Sequence, residues 1–270
     1  MNNSDLYAEF ARQIVSKALK NTKPYVVGIN GCQGSGKSTL ACYVSKYIKH
    51  NFMLNVLVLS LDDFYLSRAD RRRRAQSIHP LFKTRGVPGT HNIERLSATL
   101  AALKNRTSPV VLPVFDKGTD DLLPPNQWLT VANSPDIVII EGWCWGLLPQ
   151  QDWQLVTPIN HLEAHFDQEG IWRQYANKVL ADEFAPLYDT TDYWLFLKAP
   201  DFDIVKLWRL EQELPLLQKG AYSAMDKQAI DNFVQFFQRL TEHALRTFHQ
   251  QAHCTWWLDE QRNVKRISLI

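Results

Sequence analysis

With 270 residues, a formal charge of +2 and 45% hydrophobic content, the chain can bury one sizeable core, and a single domain over residues 1–270 is expected. The near-neutral balance gives no basic field for nucleic acid, and no run approaches the roughly 20 apolar residues that span a bilayer. Four cysteines without metal-ligand spacing (Cys32, Cys42, Cys144, Cys254), and an N-terminus interrupted by Asp5, Glu9, Arg12 and Lys17, point to a reduced, cytoplasmic protein rather than an exported one.

The first segment repeats apolar residues at Leu6, Phe10 and Ile14, the spacing of an amphipathic helix, and Pro24 stops it. Tyr25 to Ile29 predicts a short buried strand. Leu40, Val44, Tyr47 and Ile48 restore helical spacing, and Leu54 to Leu61 predicts a second buried strand ending in Asp62 and Asp63. Strand, Gly-rich turn, helix and strand make a βαβ unit, which implies an α/β fold: a parallel sheet with helices on both faces. Asp70 to Gly89 is polar, basic and rich in turn residues, so a long functional loop is expected there, with Arg71 to Arg74 solvated and mobile. Ile93, Leu96, Leu100 and Leu103 form one helical stripe with Asn92 as N-cap. Further strands are predicted at Val110–Leu112, Ile137–Ile140 and Tyr193–Leu197. A late helix carries Ile230, Phe233, Phe237, Leu240 and Ala244 behind a cap at Asp226, and Thr255–Leu258 and Val264–Ile267 supply the last strands.

Between the first strand and its helix, Gly31, Gly36, Lys37 and Ser38 satisfy the pattern G-x-x-x-x-G-K-[ST]. Its glycines let the main chain wrap phosphate oxygens closely, and consecutive N–H groups plus the helix N-terminus favour anions. The whole stretch Gly31, Cys32, Gln33, Gly34, Ser35, Gly36, Lys37, Ser38 and Thr39 is therefore the expected nucleotide-binding loop. Within it Lys37 reaches the outer phosphates, and the Ser38 hydroxyl is a ligand for Mg²⁺. Ligands of open α/β sheets bind beyond the carboxyl ends of strands, where Asp62, Asp63 and Glu141 lie. If the chain stays extended there, only one of the two aspartates faces the nucleotide. One carboxylate suits proton acceptance from an alcohol, and Glu141 is placed to help hold Mg²⁺.

These residues together resemble the P-loop kinase group that includes uridine kinase, phosphoribulokinase and pantothenate kinase, and within it the D-glycerate 3-kinase family. The resemblance rests on Gly31–Thr39, Ser60-Leu61-Asp62-Asp63-Phe64-Tyr65 and Arg85-Gly86-Val87-Pro88-Gly89-Thr90-His91-Asn92. It continues through Leu112-Pro113, Phe115-Asp116-Lys117, Glu141-Gly142-Trp143 and Trp208-Arg209-Leu210. It implies ATP and Mg²⁺ as cofactors, a small-molecule acceptor resembling glycerate, and a P-loop NTPase-type sheet with a small helical lid near residues 198–225. It makes Asp62 the catalytic base, Glu141 a metal residue with Ser38, and Arg209 (with Lys206 on the same helix face) the basic lid. Asn92 stands where the family commonly has Asp, and so keeps only its capping role. Arg85, His91 and Lys117 border the acceptor in such proteins; Arg85 is the natural bidentate partner for a carboxylate and Lys117 the second choice. Trp143 and Trp145 are candidate pocket walls. The acceptor alternatives are pantothenate, a nucleoside or a sugar. A nucleotide-dependent switch or ATPase is the alternative from another class.

Overall fold

The computed structural model describes residues 3–218 and 227–270. Helix α1 (Asn3–Ala18) turns Phe10, Ile14 and Val15 inward and leads to β1 (Tyr25–Gly31), buried along its whole length. After the glycine-rich loop come α2 (Lys37–Phe52) and β2 (Val56–Ser60), then a 3-10 turn over Leu61–Phe64. Helices α3 (Arg68–Ser77) and α4 (Ile93–Lys104) follow. Four short strands, β3 (Val110–Leu112), β4 (Phe115–Asp116), β5 (Asp121–Leu122) and β6 (Leu129–Val131), pair as β3 with β6 and β4 with β5. Strand β7 (Ile137–Gly142) precedes helices α5 (His161–Phe166) and α6 (Ile171–Val179). Then come β8 (Tyr193–Lys198), α7 (Phe202–Gln218), α8 (Lys227–Thr247), β9 (Cys254–Leu258) and β10 (Val264–Leu269).

The central sheet has six strands in the order β10-β9-β8-β1-β7-β2. Side chains alternate across it, so neighbouring residues feed opposite cores. Val26, Val138 and Ile140 pack with Leu96, Leu100 and Phe237 on one face. Val27, Ile29, Ile137 and Ile139 pack with Ile14, Leu40 and Val44 on the other. The register sets the site: Glu141 on β7 lies level with Ile29 on β1 and with Ser60 on β2. Both the loop leaving β1 and the turn leaving β2 therefore start beside that carboxylate.

The sheet is mixed rather than wholly parallel, because β10 returns antiparallel along β9. Strand β2 is an edge strand, not a buried one, and Val58 is 37% exposed. The expected strand β3 forms, but in its own small ladder with β6.

The largest correction concerns Asp70 to Gly89, where α3 takes up residues 70–77 and a 3-10 turn, Pro80–Lys83, follows it. Ser67 caps this helix, its Oγ accepting from the Asp70 N–H at 3.1 Å. Its inward residue is Arg71, 1% exposed, which donates to the carbonyls of Leu66 (3.3 Å), Lys83 (2.8 Å) and Asp120 (2.6 Å). Arg74 donates to Gly89 O at 2.5 Å, so of the four arginines only Arg72 and Arg73 are solvated. A helix whose buried side is a guanidinium shows no apolar stripe, and periodicity cannot reveal it. Of the expected lid, residues 198–218 are described and include α7; residues 219–225 and the cap at Asp226 fall outside the described residues. Among the described residues no helix is long and apolar enough to cross a membrane.

Candidate active site

The phosphate loop turns on two glycines with positive φ, Gly34 at 77° and Gly36 at 93°. A Cβ on Gly34 would come within 2.6 Å of Trp208 Cβ on α7, so the position is closed to side chains by contact as well as by φ. Lys37 folds back and donates to Cys32 O at 3.0 Å. Gln33, Gly34, Lys37 and Ser38 line a cleft of about 660 Å³, whereas Gly31, Cys32, Ser35, Gly36 and Thr39 do not. The Cys32 thiol points into the α1–α2 core, and burial pushes it up to about 12, so it stays protonated.

Arg262, in the turn between β9 and β10, holds the loop from outside. It donates to Gly34 O at 2.6 Å and to Glu211 at 2.7 Å, and its guanidinium lies 4.8 Å from the Trp208 ring centroid. No local sequence signal marks this residue. It is found only once folding brings the hairpin against the loop.

Beyond β1 and β2 the cleft gathers oxygen ligands. Ser38 Oγ donates to Glu141 Oε1 at 2.8 Å, and Ser60 Oγ to the same oxygen at 3.1 Å. A hydroxyl beside a carboxylate is an all-oxygen donor set that fits Mg²⁺, an ion that keeps several waters and takes its remaining ligands from phosphates. Among the described residues no cluster of three or more His, Cys, Asp or Glu forms a protein cage for a metal.

Asp62 and Asp63 both line this cleft, contrary to the expectation that one would turn away. They lie in the 3-10 turn, not in extended chain, so the two-residue alternation does not apply. Asp62 Oδ2 sits 2.6 Å from Lys117 Nζ. Burial raises the Asp62 carboxyl, but the neighbouring lysines, Lys117 first and Lys37 less, together outweigh it. The net value lies below the usual carboxylate range. Asp63 is pushed up to about 6, chiefly by burial, with Asp62 and Glu141 adding repulsion against the Phe115 N–H that it accepts.

The three residues expected to border an acceptor separate. Arg85 lines the cleft, but its Nη1 is engaged by Asp120 and its guanidinium lies 5.4 Å from the Phe115 ring centroid. His91 does not line the cleft at all. It is 2% exposed, stacked 4.4 Å from Tyr65 and edge-on to Phe184 at 5.6 Å. Neither of its ring nitrogens has a hydrogen-bond partner among the described residues, and burial lowers it to about 3 against the weak pull of Asp62. It is thus a neutral ring packed between Tyr65 and Phe184, outside the lining of the cleft. Trp143 is a wall residue, donating to Gly86 O at 3.2 Å and packing edge-on against Phe237. Trp145 is fully buried among Tyr188 and Trp194 and does not reach the cleft. From α7, Arg209 faces the cleft beside Gln212 and Phe233. Lys206 pairs with Asp203 at 2.9 Å and is not among the lining residues. Phe233 and Phe237 of α8 complete the wall; as ordinary core positions of a helical stripe, they carried no sequence sign of this role.

No protein-family profile matches the chain. The chain is 30% identical over 240 residues to the uncharacterized kinase mug58 of Schizosaccharomyces pombe, covering 86% of this chain and 84% of that protein. It is 27% identical over 228 residues to the chloroplastic D-glycerate 3-kinase of Arabidopsis thaliana, covering 78% of this chain but 45% of that longer protein. A solved D-glycerate 3-kinase from Cryptococcus neoformans matches with a TM-score of 0.81 over 99% of both chains at 23% identity, which shows a shared fold.

Proposed function

The chain belongs to the D-glycerate 3-kinase-like group of ATP-dependent P-loop kinases, and on that premise we propose that it phosphorylates a small hydroxy acid, D-glycerate foremost, giving 3-phosphoglycerate and ADP. The observation that carries the reading is one cleft lined in common by Lys37, Ser38 and Glu141 and by Arg85, Lys117 and Trp143, with an Asp62 carboxylate among them that feels both Lys37 and Lys117.

In this reading the phosphate loop holds the ATP tail, and Ser38 with Glu141 holds Mg²⁺. The ion supplies charge neutralisation on the phosphate oxygens when bound. Asp62 accepts the proton of the acceptor hydroxyl as its oxygen bonds to the γ-phosphorus. The bond from that phosphorus to the β–γ bridging oxygen breaks, and its electron pair leaves with ADP. Lys37 and Arg209 offset the charge on the transferring group, so most of the rate comes from positioning and electrostatics. Arg85 and Lys117 receive the acceptor's carboxylate, with Asp120 keeping Arg85 in place. A cytoplasmic setting accords with four free cysteines, three of them buried.

The test is purified protein with ATP and Mg²⁺ against D-glycerate, pantothenate, uridine and a hexose, scored by acceptor-dependent ADP release and product identity. ADP release that no acceptor stimulates would refute the kinase reading. Preference for a nucleoside or a hexose would refute the hydroxy-acid assignment.

A further inference from the structure

Lys117 and Arg85 are both cations lining the cleft, yet they are held very differently. Arg85 is fixed by Asp120 and by the Phe115 ring, and Asp120 is itself gripped by the buried Arg71. Lys117 projects from the tip of the β4–β5 hairpin, whose main chain is secured on every side. Phe115 N donates to Asp63, Arg68 N to Asp121 at 2.9 Å, and the amides of Gly118 and Thr119 to Asp116 at 2.9 and 3.2 Å. From this fixed platform a flexible four-carbon stem carries the ammonium to Asp62. The Lys117 side chain is 61% exposed and that of Asp62 29%. The lysine end of the pair is open to water, so the ammonium can exchange one carboxylate for another, and an incoming anion offsets what leaving Asp62 costs.

The consequence is chemical. While Lys117 sits on Asp62 Oδ2, its positive charge favours the ionised carboxylate and makes it a poorer acceptor for a hydroxyl proton. A neutral alcohol brings nothing to draw the ammonium away. A hydroxy acid brings its own carboxylate, to which the ammonium moves within the same cleft. We propose that Lys117 is an exchangeable counter-ion, tying up Asp62 in the free protein and passing to the anionic group of the acceptor on binding. Recognition of the acceptor's charge and release of the base are then one event. The exchange selects small anionic hydroxy compounds over neutral sugars and nucleosides, and it rests on the kinase reading given above.

The test compares kcat/KM for D-glycerate with kcat/KM for D-glyceramide, which keeps the hydroxyls and replaces the carboxylate by a neutral amide. In Lys117→Met, a substitution at an exposed position that leaves the stem apolar, the glycerate-to-glyceramide ratio should fall about 10- to 100-fold, the worth of a charge-assisted contact. Lys117→Arg should restore most of it. A Lys117→Met enzyme that is active with a ratio within twofold of the parent's overturns the exchange and leaves the kinase assignment standing. A parent protein that uses neither compound but phosphorylates a nucleoside or a hexose overturns the acceptor assignment, and this inference with it.

Discussion

His91 offers a direct measurement of how dry the layer between Tyr65 and Phe184 is. A free imidazole titrates near 6.5; in the folded chain burial takes His91 down to about 3. Below pH 6.5 the unfolded chain therefore binds a proton that the folded chain refuses, so His91 contributes a stability that rises with pH between about 3 and 6.5 and is flat above. Between pH 7 and pH 5 the linked loss from this one residue comes to about 2 kcal/mol. Replacing it with phenylalanine keeps a ring between Tyr65 and Phe184 and removes the proton site. Urea denaturation of both proteins at pH 7 and pH 5 isolates the effect, because all other titrating groups are shared. His91→Phe should lose about 2 kcal/mol less than the parent on going from pH 7 to pH 5. Equal losses in the two proteins would refute the claim that the ring is held neutral.

Asp62→Asn should reduce kcat by about 10²- to 10⁴-fold, the usual worth of a positioned proton acceptor, while calorimetry finds Mg·ATP binding little changed; near-normal turnover removes Asp62 from that role. Glu141→Gln should raise the Mg²⁺ concentration for half-maximal activity by about tenfold or more, since it takes a charge from the Ser38–Glu141 pair; an unchanged Mg²⁺ titration contradicts the metal assignment. Arg71→Met should cost roughly 2–4 kcal/mol in urea denaturation with an unchanged m-value, because buried carbonyls lose their donor while half-exposed Asp120 rehydrates. A loss below about 0.5 kcal/mol would show that the guanidinium is not a structural strut.

Legibility in the sequence followed the kind of signal each part carries. The phosphate loop was readable because its glycines, lysine and serine are contiguous and lie between a buried strand and an apolar helical stripe. β1, β7 and β8 were readable because strands covered on both faces become short aliphatic runs. Helix α3 escaped because its inward side is Arg71, and hydrophobic periodicity is blind to a buried guanidinium. The joint presentation of Asp62 and Asp63 escaped because a 3-10 turn replaced the assumed extension. His91 was assigned to the acceptor by its place in a loop motif, yet its ring is stacked inside. Arg262 and Asp120 could not be foreseen at all. Their partners Gly34 and Arg85 are close only in three dimensions, and turn residues of that type are common on any surface.

The order of the strands also governs how this chain emerges from the ribosome. β1, which launches the phosphate loop, finds its two flanking partners only at Ile137 and Tyr193, far downstream. Until Ile137 has been synthesised, an apolar ribbon with both edges open waits in the nascent chain, and non-local pairing of this kind is slow and exposed to aggregation. Holdase depletion during translation should therefore lower yield more than the same depletion applied to finished protein.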